Sequence, residues 1–348
     1  MQHKSFSALL VLLSVFAVGQ SIGSSSGSVT QPQRPPTRLA APQYQADFTP
    51  AIANGVHSIS WDKGHLVAFS VGELKEPVAF YDRTGKSLFE SFLAFDNVVK
   101  TYVQDAVATS SETVVAAASV INGDGASADI IAEIANGSIR RAIRTSPFYP
   151  LKVCATGNGT VWAYGKELEE SRAVEPRQDY PMLREYSFEK GQLRAALDRT
   201  TVRPPNSVPV GGASHEVQMR CNAQKVVLIN GATRELVEYN LSSSRVRRWT
   251  IAPLPGGVDF KHITGAALMD SGEIYVSTYD APRRDALTRI LQLVPNASGG
   301  ADWVPVTAIL SEGRWFVLLG SDGDSLVYAR GRSSPTLFWS KVQQGVTK

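Results

Sequence analysis

An all-β fold built from six repeated, four-stranded antiparallel units is what this 348-residue sequence predicts. Three observations predict it. A polar or glycine-bearing turn followed at once by a run of β-branched, aliphatic or aromatic residues returns six times. Each copy is followed, after a variable loop, by a second apolar hairpin. No long amphipathic helical pattern separates the copies, which disfavours a parallel βαβ arrangement.

The first copy is Trp61-Asp62-Lys63-Gly64-His65-Leu66-Val67, with its second hairpin from Val78 to Leu88. The second is Ser110-Ser111-Glu112-Thr113-Val114, followed by Ile130 to Ile139 with a turn at Asn136-Gly137. The third, Thr156-Gly157-Asn158-Gly159-Thr160-Val161, carries the strongest turn signal and leads to Leu183 to Leu193. Asn222-Ala223-Gln224-Lys225-Val226 and Met269-Asp270-Ser271-Gly272-Glu273-Ile274 open the fourth and fifth, with hairpins at Leu236 to Val246 and Ile290 to Val304. The sixth reads Ser311-Glu312-Gly313-Arg314-Trp315-Phe316, then Leu326 to Phe338. Gly, Asn and Asp at such tips relieve the positive-φ cost of tight hairpins, and the residues that follow favour pleated, half-buried backbone. Four strands recurring at roughly 40 to 65 residues make a propeller blade, so the predicted fold class is a six-bladed β-propeller of four-stranded antiparallel blades. Pairing of an N-terminal strand within Ala46 to Ala53 with the last blade is expected to close the ring and hide its sheet edges.

This turn-then-strand pattern resembles the six-bladed propellers of the NHL and TolB-like kind over Phe48 to Val342. A Trp-Asp pair occurs at Trp61-Asp62 without recurring from unit to unit, unlike WD40 blades, and the paired glycines of kelch blades do not recur either. The resemblance implies architecture alone, because such blades host enzymes, receptors and scaffolds alike.

Ahead of the repeats, Lys4 precedes an apolar run from Ala8 through Val18 and then small and polar residues, the layout of a secretory signal peptide. A run of about a dozen residues falls short of the roughly 20 that span a bilayer as a helix. Residues 1–20 are therefore read as a cleaved signal and 21–45, rich in Ser, Gly, Pro and Gln, as a disordered linker. Residues 46–345 are read as the propeller, in a product soluble in the periplasm or outside the cell.

Thirty-five Lys and Arg stand against 32 Asp and Glu, but Lys4, Arg34 and Arg38 all precede the first acid, Asp47, which leaves 32 against 32 in the body. A neutral body lacks the footprint that phosphate neutralisation demands, so nucleic acid is set aside. A monomer is expected, binding a protein, peptide or glycan.

His57, His215 and His262 sit at comparable places in their repeats, a few residues into the strand before the turn. That strand lines the channel of a propeller, so three imidazoles near one mouth would suit a divalent metal. Peptidylamidoglycolate and streptogramin lyases, which are similar propellers, place histidines and a metal there, and the resemblance implies a metal-dependent lyase or hydrolase as the alternative function. The competing reading is three polar residues at blade entries, hydrogen-bonded to backbone; no metal site is assigned. His65, in the turn itself, is expected to be solvated.

Recognition is assigned first to the charged insertion from Lys166 to Pro181, which includes Glu170, Arg172, Arg177 and Asp179, because long loops on a rigid scaffold are where binding concentrates. Cys154 and Cys221 lie on the innermost strands of consecutive repeats. An oxidising compartment permits a disulfide between them, whereas divergence of neighbouring inner strands favours two buried thiols. The acidic turns Asn122 to Gly125 and Ser321 to Ser325 lack EF-hand spacing and read as plain connections between second and third strands. Nucleophile elbow, His-Glu-x-x-His, phosphate-loop and dinucleotide patterns are missing from the sequence, so binding rather than catalysis, with no cofactor, is the leading expectation.

Overall fold

The computed structural model describes residues 37–47, 57–70, 72–73, 77–167, 180–198, 217–230, 234–253, 263–279, 288–308, 316–330 and 336–344. Among them are strands, turns and bends and no helix. The first blade comprises His57–Asp62, His65–Ser70, Val78–Tyr81 and Ser87–Ser91, each paired antiparallel with the next. Val98–Ala108, Thr113–Asn122, Ser127–Ala135 and Ser138–Arg144 form the second. The third is Phe148–Ala155, Val161–Glu167, Pro181–Ser187 and Gly191–Asp198. The fourth, Val217–Cys221 to Val246–Ile251, and the fifth, Ile263–Leu268 to Gly300–Pro305, each hold four antiparallel strands.

The sixth blade is split across the chain ends. Phe316–Asp322, Ser325–Arg330 and Thr336–Gln344 supply three strands, and Tyr44–Asp47 adds the fourth along Thr336–Trp339. Thr37–Leu39 continues that outer position along Val342–Gln344 and also pairs in parallel with Thr307–Ala308 of the fifth blade. The closing strand thus begins earlier than the expected Ala46, and the region read as a linker up to residue 45 contains the strand Thr37–Leu39 and the start of Tyr44–Asp47.

The inner strands touch in sequence, blade one to blade two and onward, and that of the sixth returns to that of the first, so the sheets stand around an axis. Each of the six seams encloses its own hydrophobic cluster. Val67 and Phe69 pack toward the second blade while Leu66 and Ala68 pack toward the sixth; Val114, Ala116 and Ala118 face the first blade while Val115 and Ala117 face the third. Successive side chains leave a strand on opposite faces, and both faces are covered here, which explains near-continuous apolar runs in place of polar alternation. Crowding at the axis is relieved by glycine: a Cβ at Gly265 would lie 1.9 Å from the Leu318 carbonyl oxygen, and one at Gly320 2.2 Å from that of Trp61.

Five of the six repeat registers match those expected. The sixth is displaced by one strand: Phe316–Asp322 is an inner strand, whereas the sequence pattern places it second. Ser321 to Ser325 therefore joins first to second strands, because the blade's fourth strand comes from the N-terminal segment and only three follow in sequence.

Candidate functional site

An inner strand has a ladder partner on one side only, so its axis-facing N–H and C=O groups need other partners. Side chains near the turn-bearing end of the channel supply them. Arg220, on the inner strand of blade four, donates from Nε to the Ala266 carbonyl at 2.8 Å, from Nη1 to its neighbour Met219 at 3.1 Å, and from Nη2 to Leu319 at 3.1 Å. The rigid fork of donors on a guanidinium suits three such acceptors in three blades. Ser321 Oγ donates to Leu268, Asn222 Nδ2 to Met269 and Ser60 Oγ to Ala106, while the Val153 amide donates to Asp105 Oδ2. Asp105 lies 3.7 Å from the Lys152 ammonium.

Cys154 and Cys221 form a disulfide between blades three and four, with Cα atoms 5.9 Å apart. The expectation of two buried thiols is corrected: so close to the axis the inner strands have not yet diverged beyond bridging distance.

Above this floor the channel widens to a cavity of about 320 Å³ lined from five blades, including Asp62, Lys63, Arg220, Asn222, Asp270 and Asp322. Asp322 accepts from Trp339 Nε1 and lies 3.4 Å from Arg83. Asp270 is exposed. Asp62, the last residue of its strand, is the anomalous member: its Oδ2 is sealed from solvent and has no hydrogen-bond partner. Burial pushes its carboxyl up to about 6, with Arg220, Lys63 and the nearby Ser60 hydroxyl opposing the rise and Asp105 adding to it. A second hollow, of about 660 Å³, runs between blades two and three and meets the first at Ala155; Thr109, Thr160, Glu133 and Arg141 are among its walls.

Because the folded-state value is raised, Asp62 favours folding when protonated and opposes it progressively as pH climbs from about 4 through about 6. Asp62→Asn is therefore expected to stabilise the protein by about 1–2 kcal/mol near pH 7, after allowing for the buried amide, and to change little near pH 4. Urea midpoints at the two pH values check this; equal midpoints for wild type and variant near pH 7 would contradict it.

The histidines expected at the channel are not brought into view: His57 opens its inner strand at the end away from Asp62, its side chain lies outside the described residues, and so do His215 and His262. Among the described residues no three His, Cys, Asp or Glu side chains are grouped to hold a metal. His65, read as solvated, is half-buried, with Nδ1 2.7 Å from the Lys63 carbonyl oxygen and its ring stacked on Phe80. Of the insertion, Lys166 is described, half-buried in the second strand of blade three with its amine pushed down by burial; Glu170, Arg172, Arg177 and Asp179 lie outside the described residues. Asp62, Arg220 and Asp270 were not singled out from the sequence. The available signal was an aspartate at or just past the end of the inner strand in three of the repeats, Asp62, Asp270 and Asp322.

No protein-family model matches the chain, and no curated protein matches it. Solved structures do align with it. A candidate exported protein from Bacteroides fragilis superposes with a TM-score of 0.50 at 9% identity, covering 88% of this chain and 95% of its own. A protein of unknown function from Bacteroides caccae gives 0.41 at 12% identity over 78% and 93%, and the aldose sugar dehydrogenase of Escherichia coli 0.43 at 9% over 88% and 99%. At such identities the likeness speaks for the fold alone. The chain is an all-β, six-bladed propeller.

Proposed function

We propose that this chain is an exported propeller, of the NHL and TolB-like kind, that acts by binding a polar ligand or a polar segment of a partner protein, peptide or glycan at the turn-side mouth of its channel. The signal-peptide layout at the N-terminus supports export. The observation that carries the reading is Asp62: a carboxylate oxygen without a partner, in a residue lining a cavity framed by five rigid blades. An unmet buried polar atom costs the fold free energy, and such costs concentrate at sites where a ligand supplies the missing partner.

The test compares two variants on a peptide and glycan array. Asp270→Tyr narrows the turn-side mouth, whereas shortening the Lys166 to Pro181 insertion alters the opposite end of blade three. Loss of the wild-type hits by about tenfold or more in Asp270→Tyr alone supports the reading. Loss only on shortening the insertion would move the site to the other face.

A further inference from the structure

We infer that the hollow between blades two and three is a peptide-binding groove, in which an uncharged, extended segment of a partner protein gives a backbone carbonyl to Arg141. The inference goes beyond the channel mouth and stands on the second hollow alone, which meets the first at Ala155.

The repeat supplies an internal comparison. In blade two Glu133 on the third strand lies in register with Arg141 on the fourth, and in blade three Glu185 lies in register with Arg194; the ladder slips by a residue after the glutamate in both. Each arginine grips its glutamate, Arg141 through Nε at 2.9 Å and Nη2 at 3.0 Å, Arg194 through Nε. Each then meets the residue just past the third strand of the next blade, Phe188 for Arg141 and Leu241 for Arg194. There the two part. Arg194 Nη1 donates to the Leu241 carbonyl at 3.1 Å and stitches blade three to blade four. Lys225 makes the same stitch one seam further on, holding Glu238 at 2.6 Å and the Gly272 carbonyl of blade five at 3.1 Å. Arg141 instead stands over the Phe188 ring, 5.3 Å from its centre, and its Nη1 donates no hydrogen bond among the described residues. That nitrogen is not sealed from solvent, and it lies 4.0 Å from Glu189 Oε1, on a side chain 78% exposed that walls the same hollow. With Nε and Nη2 fixed on Glu133, the rigid fork holds Nη1 on the open side.

At seam two–three the donor is therefore present and the carbonyl that its counterparts hold is not supplied by the next blade. The space beside it, about 660 Å³, falls in the range of ligand clefts, roughly 300–1,000 Å³. Charge selects no ion here: Glu112, Glu133 and Glu189 line the hollow against Arg140, Arg141 and Lys190, so a cation and an anion each meet as much repulsion as attraction. An uncharged ligand with carbonyl acceptors satisfies Nη1 without that opposition. Leu193, 40% exposed, and half-buried Phe188 offer apolar surface for a side chain beside the bonded backbone, the pattern of peptide recognition. A sugar ring would stack on an aromatic face, and Phe188 has Arg141 over its ring and packs against the hydrophobic cluster of its seam.

The test probes the full chain with an array of end-capped heptapeptides free of Asp, Glu, Lys, Arg and His, beside maltoheptaose and cellohexaose. Peptide hits are expected. Arg141→Lys keeps a positive charge beside Glu133 without the fork, and is expected to weaken those hits about tenfold. Arg194→Lys, at the equivalent place in the stitched seam, is expected to leave them unchanged. Urea midpoints report whether both variants fold; should Arg141→Lys unfold, Leu193→Arg, at a position outside the ion pairs, is expected to give the same loss by crowding the groove. An absence of peptide hits, hits indifferent to these groove variants, or binding confined to the two oligosaccharides would overturn the inference. Asp270→Tyr separates the groove from the mouth. Hits lost there and kept in Arg141→Lys remove the groove and leave the mouth; hits lost in Arg141→Lys and kept in Asp270→Tyr uphold the groove and remove the mouth; loss in both upholds one continuous site.

Discussion

A chain beginning at Phe48 is expected to lose most of its stability, whereas one beginning at Pro35 keeps it. The difference is the closing segment. Leu39 and Ala46 are buried in the clusters at the two seams of blade six, and Tyr44 stacks edge-on against Trp339. Removing them forfeits about 3 kcal/mol of apolar burial, together with the backbone bonds of the outer strand, each worth about 1 kcal/mol net. After allowing for the ordering entropy no longer spent, the loss is on the order of 5 kcal/mol, comparable with the whole stability of an ordinary domain. The new edge, Thr336–Gln344, would also be open to pairing with other chains. Urea unfolding and size-exclusion chromatography of the two truncations check this. Addition of a synthetic peptide spanning residues 35–48 is expected to restore the midpoint of the shorter chain, and its failure to do so would mean that closure is not the cause.

Breaking the Cys154–Cys221 bridge ranks next. The cysteines are 67 residues apart, and cross-linking a loop of that length limits the unfolded chain by about 4 kcal/mol in the entropy model. Cys221→Ser, or reduction of the wild type, is expected to lower the melting temperature by roughly 8 °C. Calorimetry with and without reductant reads the shift. Two titratable thiols in denatured, unreduced protein would contradict the bridge.

The ring was legible in the sequence because turn chemistry and apolar runs are local signals. Lys63-Gly64, Asn136-Gly137 and Gly159 mark hairpins, and each of these residues takes a positive φ. The sixth register was not legible for a topological reason: a blade assembled from residues 44–47 and 316–344 presents only three of its strands in sequence. The site was hidden for a related one. Arg220 reaches Leu319, 99 residues away, and the disulfide joins strands whose separation at the axis no spacing rule encodes. Asp62 looks like any turn aspartate until the neighbours that bury it are placed. The histidines drew attention through their chemical type, and the one in a described strand, His57, opens that strand at the end away from Asp62.

The links across the six seams are of different kinds. Gly72–Glu73 pairs with Tyr102 and Val103 across seam one–two; the disulfide crosses three–four; backbone bonds at Thr250 to Ala252 cross four–five; and Thr37–Leu39 stitches five to six. Blade two runs into blade three through Thr145 to Pro147, with the Phe148 amide donating to the Thr145 carbonyl, and Asp105, Lys152 and Arg141 add side-chain links there, while Trp61, Trp339 and Arg83 meet across seam six–one. The ring is thus held by a different device at each seam, so no single substitution removes every link between neighbouring blades.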